Sequence, residues 1–209
     1  MIYQSIADIY AANDTVRRRL TERVENLSEA QQTFRPAEDA WSIAEIMDHL
    51  SIIERNMVQL IGRLLKKSEG ATSEINAGDG DEGDEGDEGD KSDVDVQNAA
   101  GAPPFRPFSL DSYVEQIRDV KLTAPERVRP GGSVTLADAL AALGRTRAEI
   151  EAMRPRLEAA DLGAATYPHP AFGELNTAQW LAFIGEHEAR HLRQIENLMA
   201  ASGFERSEG

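Results

Sequence analysis

Residues 177–201 read TAQWLAFIGEHEARHLRQIENLMAA and carry the strongest helical pattern of the chain. Apolar residues recur there every three or four positions, which predicts an amphipathic helix with one face buried in a core. The stripe on that face contains Trp180, Ile184, His187, His191, Ile195 and Leu198. Its two histidines are four residues apart and therefore lie one turn apart. A buried imidazole needs a partner for its nitrogens, and a divalent metal ion suits this spacing best.

Three further segments carry the same helical pattern. The first covers residues 2–27, and the second begins at Ser42, where Ser42 and Glu45 form a capping box. The third begins near Thr135, and Pro155 is expected to kink or end it. Four long amphipathic helices without a convincing strand pattern predict an all-α four-helix bundle.

A long acidic connection separates the second and third helices. Between Ser68 and Asp95 the chain has seven Asp, five Glu and one Lys, which supply most of its net charge of −15. So few apolar residues cannot offset the entropy lost on ordering, so we expect a flexible insert at residues 68–104. A long crossover also allows an up-down-down-up helix order within one domain of residues 1–209. A short additional helix is expected at residues 109–120.

The composition limits the partners and the compartment. The absence of cysteine excludes disulfides, thiolate zinc sites and a cysteine nucleophile. No basic surface is evident, so nucleic acid is not an expected partner. No apolar run approaches the roughly 20 residues that span a bilayer, and no signal peptide is evident at the N-terminus. We therefore expect a soluble cytoplasmic protein that acts away from membranes.

A third histidine, His49, lies on the apolar stripe of the second helix. Three of the four histidines in the chain thus fall on core-facing stripes of two helices. This placement favours a metal site formed by His49, His187 and His191 across the bundle. The alternative is a purely structural bundle, in which carboxylates or carbonyl groups satisfy these histidines and no metal is bound.

Two other metal sites fit the sequence less well. His187-Glu188-x-x-His191 matches the start of the zincin protease signature, but the downstream ligand and the substrate-binding strand are missing. A ferritin-like centre with two metals needs Glu-x-x-His motifs from two helices. The spacing from Glu45 to His49 is one residue too long for the second motif.

Two motifs resemble those of the DinB-like superfamily. One is WSIAEIMDHL at residues 41–50; the other extends from HPAFG at residues 169–173 through HEARHLRQI at residues 187–195. The likeness is greatest to the subgroup named metal-dependent hydrolases and covers roughly residues 1–66 and 120–200. It implies an up-down-down-up bundle that is commonly dimeric.

The resemblance also implies a chemistry. A nickel, zinc or similar divalent ion would be held by His49, His187 and His191, with water in the open positions. Some relatives transfer or rearrange groups with low-molecular-weight thiols such as bacillithiol or mycothiol. We therefore expect a metal-dependent hydrolase or thiol-dependent transferase that acts on a small molecule. The alternative is a non-catalytic metal-binding bundle with a stress-related or partner-binding role.

Glu188 is the candidate catalytic residue. It lies about 100° around the helix from His187. It could act as a base on metal-bound water, or it could form only a salt bridge to Arg190 or another neighbour. His169 is expected in the loop before the last helix, and Trp41 and Trp180 are expected to anchor the core.

Overall fold

The computed structural model describes residues 1–77, 104–117 and 124–204. Its six α-helices are α1 (Ile6–Val24), α2 (Glu29–Thr33), α3 (Ile43–Ala77), α4 (Asp111–Ile117), α5 (Leu136–Ala159) and α6 (Thr177–Met199). The four long helices α1, α3, α5 and α6 form a bundle, and a 3-10 turn at Glu126–Val128 precedes α5. None of the described helices combines the length and the apolar character needed to cross a membrane.

Helices α1 and α6 run parallel. Asn13 donates a hydrogen bond to the carbonyl oxygen of Leu181 at 2.9 Å. Further along both helices, Arg17 forms an ion pair with Glu188.

Helices α3 and α5 are also parallel to each other. Thr146 donates to Glu54 at 2.5 Å, and further along both helices Arg156 donates to Glu69 at 2.7 Å. Parallel neighbours that are consecutive long helices need a long crossover, which the chain supplies between Ala77 and Leu136.

Helix α1 runs antiparallel to α5. Tyr10 donates to the carbonyl oxygen of Ile150 at 2.8 Å, whereas Arg17, later in α1, donates to that of Leu143, earlier in α5, at 3.0 Å. The predicted up-down-down-up order of the four long helices is therefore confirmed.

The predicted starts of the second and third long helices agree closely with the structure. Ser42 accepts a hydrogen bond from the backbone of Glu45 at 3.3 Å, and Glu45 accepts one from the backbone of Ser42 at 2.8 Å. This reciprocal pair is the predicted capping box. Thr135 likewise caps α5. The predicted short helix is present as α4, although residues 118–120 lie outside the described residues.

Two short antiparallel strand pairs accompany the helices, although the sequence shows no convincing strand pattern. Ile2–Tyr3 (β1) pairs antiparallel with Phe108–Ser109 (β2), and Thr166–His169 (β3) pairs antiparallel with Gly173–Asn176 (β4). Strands this short leave no detectable alternation of apolar and polar residues. The first helix consequently begins at Ile6, capped by Ser5, and not at residue 2.

Two predicted boundaries also differ from the structure. Helix α3 continues through Ser68 to Ala77, so the first part of the predicted insert is helical. The rest of that insert, up to residue 103, lies outside the described residues. Of the two effects expected of Pro155, an end of the helix was wrong, because α5 continues to Ala159 and buries Leu157 completely, whereas a kink stays a prediction.

The core consists of two apolar clusters, one towards each end of the bundle. The first contains Ile9, Tyr10, Met57, Ile61, Ile150, Leu181 and Ile184 among others. The second contains Leu20, Val24, Ile46, Leu50, Leu143, Leu192 and Ile195 among others. Along each long helix the two clusters are separated by a short interval. The half-buried Arg17 and the buried Glu54, Thr146 and Glu188 lie in these intervals and form a polar layer.

Gly185 permits the close approach of α1 and α6. A Cβ atom at this position would lie 2.3 Å from Oδ1 of Asn13 and 3.3 Å from its Cα atom. We therefore expect Gly185→Ala to force the helices apart and to lower the free energy of unfolding by about 1–3 kcal/mol. Equilibrium urea denaturation measures this change.

Gly144 provides the matched control on α5, because a Cβ atom there meets nothing within 4 Å. Gly144→Ala should raise the free energy of unfolding by about 0.5–1 kcal/mol through helix propensity. Equal effects of the two substitutions would contradict the close approach.

Candidate metal centre

Three histidines from two helices converge in the polar layer. The ring centroid of His49, on α3, lies 5.4 Å from that of His187 and 5.0 Å from that of His191, both on α6. The two α6 rings are 4.6 Å apart. One nitrogen of each ring lies within 4.8 Å of the other two. In the described part of the chain, no other group of three or more His, Asp or Glu side chains is gathered in this way.

Two of the rings are oriented by hydrogen bonds through Nδ1. The contact from Nδ1 of His49 to the carbonyl oxygen of Val128 is 2.7 Å, and that from Nδ1 of His191 to Oε1 of Gln194 is 2.9 Å. Both oxygens can only accept, so each Nδ1 carries the proton. Each Nε2 therefore presents a lone pair, as in metal-ligating histidines whose other nitrogen is fixed by a second group.

The environment of the rings keeps them neutral. His49 is 5% exposed and His191 is 7% exposed. Burial lowers the pKa of His49, and burial together with the neighbouring His49 lowers the pKa of His191 to about 3. Burial and the neighbouring His191 hold the pKa of His187 well below its usual value. Neutral imidazole is the form that binds a metal ion.

The segment before α5 holds the α3 side of this centre. Val128 belongs to the 3-10 turn, and the backbone amide of Gly131 donates to Oδ2 of the buried Asp48 at 2.9 Å. The ring of Trp41 lies 5.0 Å from that of His49. Trp41 is therefore half-buried against the histidine cluster as well as against the core.

An ion cluster joins all four long helices beside the histidines. Arg17 on α1 donates through Nε to Oε1 of Glu188 on α6 at 2.6 Å and through Nη1 to the carbonyl oxygen of Leu143 on α5 at 3.0 Å. Its Nη2 contacts Glu54 on α3 and also Glu188. The remaining oxygen of Glu54 accepts from Thr146 at 2.5 Å.

Glu188 belongs to this cluster. It is 2% exposed, and its Oε2 has no hydrogen-bond partner among the described residues. Burial raises the pKa of Glu188 to about 8, against the opposing charge of Arg17. The salt bridge suggested as one role for Glu188 is present, but its partner is Arg17 and not Arg190. The suggested role as a catalytic base stays a prediction.

Arg17 and Glu54 were not predicted as site residues from the sequence. Arg17 is three residues before Leu20 and four after Asn13, and all three are largely removed from solvent. Glu54 is four residues after Leu50, on the buried face of α3. Charged residues at core-facing spacing on two helices were the available signal, because buried charges are paired in folded proteins.

A group of aromatic rings packs next to the centre. His169, at the end of β3, stacks on Phe172 with centroids 4.3 Å apart and meets the edge of Phe183 at 4.7 Å. Phe183 in turn lies 6.2 Å from His187. Trp180 is buried as expected, and its ring is 5.5 Å from that of His169.

A small recess between α4 and α6 leads to His187. Its volume is about 20 Å³, and it is lined by Val114, Phe183, Glu186, His187, Arg190 and Arg193. Burial and the neighbouring charge of Arg193 lower the pKa of Arg190. A recess of this volume holds about one water molecule, and the half-buried ring of His187 forms part of its lining.

The class of protein follows from a comparison of the whole chain with known families. Residues 12–195 match the profile of the DinB superfamily. The chain therefore belongs to this superfamily, as the two motifs indicated.

Individual relatives are distant. The protein YuaE of Bacillus subtilis (strain 168), described as uncharacterized, is 24% identical over 181 residues, covering 84% of this chain and 87% of YuaE. The crystal structure of TT2238, a four-helix bundle protein, matches with a TM-score of 0.52 at 17% identity, over 92% of this chain and 98% of TT2238. This likeness shows the bundle fold.

A second solved structure is that of YfiT from Bacillus subtilis. It matches with a TM-score of 0.47 at 15% identity, over 96% of this chain and 89% of YfiT. YfiT is described as a probable metal-dependent hydrolase with an unusual four-helix bundle topology.

The packing of His169 predicts a pH dependence of stability. Burial lowers its pKa from 6.5 to about 4, so between these values the unfolded chain binds more protons than the folded one. This contribution to stability is present above pH 6.5 and is lost as the pH falls towards 4. We expect His169→Phe, which retains an aromatic ring, to lose less stability than the wild type between pH 7 and pH 5. Urea midpoints at both pH values test this, and identical losses would contradict it.

Proposed function

We propose that the chain binds one divalent transition-metal ion through His49, His187 and His191 and that it is a metal-dependent enzyme. The observation that carries this proposal is the convergence of three neutral imidazoles in the interior of the bundle. For His49 and His191, hydrogen bonds through Nδ1 leave Nε2 as the available ligand atom. His187 has no hydrogen-bonded partner for its ring within the described residues, so both of its nitrogens are available.

The donor set fits such an ion. In a tetrahedral zinc site, nitrogen ligands about 2.0–2.1 Å from the ion lie about 3.4 Å from one another. The three candidate ligand atoms lie within 4.8 Å of one another, so ligation would draw the rings closer together. Three imidazoles suit zinc, nickel or a similar ion better than magnesium or calcium.

A centre with three protein ligands is suited to catalysis. Three neutral ligands leave the charge of the ion uncompensated and leave coordination positions open, as in catalytic zinc sites. When bound, such an ion lowers the pKa of a water molecule or thiol and so supplies a nucleophile near neutral pH. We propose hydrolysis of a small molecule, or transfer of a group with a low-molecular-weight thiol, as the reaction.

The protein's own residues would orient and enclose the reaction. Val128 and Gln194 fix the rings of His49 and His191. The ring of Phe183 lies 6.2 Å from that of His187 and would limit the access of water from that side. Glu188 is held by Arg17, so we assign it to the positioning of α6 in preference to proton transfer. A cytoplasmic homodimer is the form in which we expect the enzyme to act.

Metal content provides the first test. Protein purified without a histidine tag and dialysed after reconstitution should contain about one equivalent of zinc, nickel or cobalt by elemental analysis. His187→Ala and His191→Ala should contain less than about 0.2 equivalents, because two imidazoles hold such an ion weakly. Cobalt binding should also quench the fluorescence of Trp41, whose ring packs against His49.

His169→Ala is the matched control, because its ring packs near the centre but does not belong to the three-histidine group. This variant should retain the full metal content. Equal metal content in wild type and His187→Ala would reject the site. Trp41→Phe should abolish the quenching by cobalt, which would show that the quenched fluorescence comes from Trp41 and not from Trp180.

Turnover provides the second test. Ester and amide substrates, and low-molecular-weight thiols paired with electrophiles, should be screened with the metal-loaded wild type and with His187→Ala. We expect at least one substrate class to be converted at least about tenfold faster by the wild type, since the ion lowers the pKa of the nucleophile. Equal rates across the screen, with the metal site intact, would favour a non-catalytic metal-binding bundle.

A further inference from the structure

The guanidinium of Arg17 is surrounded by oxygen atoms from three other helices. Glu54 contributes a carboxylate oxygen from α3, Leu143 a carbonyl oxygen from α5, and Glu188 a carboxylate oxygen from α6. The hydroxyl of Thr146 lies next to this shell, bonded to the other oxygen of Glu54. All the atoms that accept hydrogen bonds from the guanidinium in these contacts are oxygen atoms.

Two buried carboxyl groups face one guanidinium in this shell. Glu54 is 3% exposed and Glu188 is 2% exposed. Buried carboxylates are tolerated when a positive charge compensates them. In addition, Oε2 of Glu188 is buried and has no hydrogen-bond partner in the described part of the chain. Oε2 of Glu188 is therefore an oxygen atom that could bind a cation and that accepts no hydrogen bond from Arg17.

These groups match the ligands of a hard divalent ion. Carboxylate, carbonyl and hydroxyl oxygens are preferred by manganese, magnesium and calcium, whereas imidazoles are preferred by zinc and nickel. In four-helix bundles that hold two ions, carboxylates from several helices converge on the bundle interior. Here carboxylates converge in the same way, but the positive charge between them is a side chain.

We propose that Arg17 occupies a second cation position of this bundle. Removing its side chain converts the oxygen shell of Glu54, Leu143 and Glu188 into a site for a hard divalent ion such as manganese. It follows that the neighbouring three-histidine centre holds a single ion because Arg17 fills the adjacent position. The statement that the three-histidine centre holds a single ion rests on the proposed function. The cation site expected in Arg17→Ala does not.

Manganese uptake by Arg17→Ala tests the proposal. Wild type and variant, each preloaded with one equivalent of zinc, should be titrated with manganese while free manganese is followed by electron paramagnetic resonance. Arg17→Ala should bind about one equivalent of manganese more than the wild type. The comparison with the wild type corrects for manganese that the acidic segment binds. Arg17→Ala/Glu188→Gln should lose this additional equivalent, because one carboxylate ligand becomes a neutral amide.

Two further variants separate the possible outcomes. Arg147→Ala removes another interhelical ion pair, between Arg147 and Asp14, and should bind no additional manganese. Arg17→Ala/His187→Ala should retain the additional equivalent even if the three-histidine centre proves not to bind zinc. A folded Arg17→Ala that binds no more manganese than the wild type would overturn the proposal.

Thermal melting followed by circular dichroism covers the case in which Arg17→Ala does not fold alone. The proposal then requires manganese to restore a cooperative melt in Arg17→Ala and to have no such effect in Arg17→Ala/Glu188→Gln. If manganese fails to restore the fold of Arg17→Ala, the oxygen shell is not a cation site and the proposal is wrong.

Discussion

The guanidinium of Arg17 links all four long helices of this bundle. Arg17 belongs to α1 and bonds Glu54 on α3, Leu143 on α5 and Glu188 on α6. Breaking a buried ion pair of this kind typically lowers the free energy of unfolding by about 3–5 kcal/mol, because the remaining charge has no partner. The cluster thus fixes the register of the helices, whereas apolar packing alone would tolerate sliding and rotation.

The histidine centre depends on the same register. His187 precedes Glu188 directly on α6, and His49 is five residues before Glu54 on α3, so the ion cluster and the imidazoles share two helices. The turn before α5 adds a second constraint, since Val128 bonds His49 and Gly131 bonds the adjacent Asp48. The three rings are therefore held together by helix register, by backbone hydrogen bonds and by the apolar clusters on either side.

Much of this arrangement was predictable from the sequence because it depends on local patterns. The apolar stripes and caps located the four long helices, and the positions of His49, His187 and His191 on those stripes indicated their convergence. The family motifs pointed to the same residues. The helical pattern of residues 177–201 needed no knowledge of the other helices.

The rest depends on contacts between distant residues. Whether Arg17 faces the core or solvent is decided by Glu54 and Glu188, which are 37 and 171 residues away in the chain. The pairing of β1 with β2 likewise joins the N-terminus to a segment beyond residue 103. Local periodicity also could not show that α3 continues to Ala77. These features follow from tertiary packing, which a one-dimensional pattern does not record.

The central claim is that three imidazoles bind one ion. X-ray absorption at the zinc or cobalt edge of the reconstituted full-length chain tests it most directly, because it reports the atoms around the ion. Ligation by the three histidines gives three nitrogen neighbours at about 2.0–2.1 Å with the multiple scattering of imidazole rings, and one or more oxygen ligands without such scattering. A shell of oxygen atoms alone would place the ion on carboxylates and would rule out the three-histidine site.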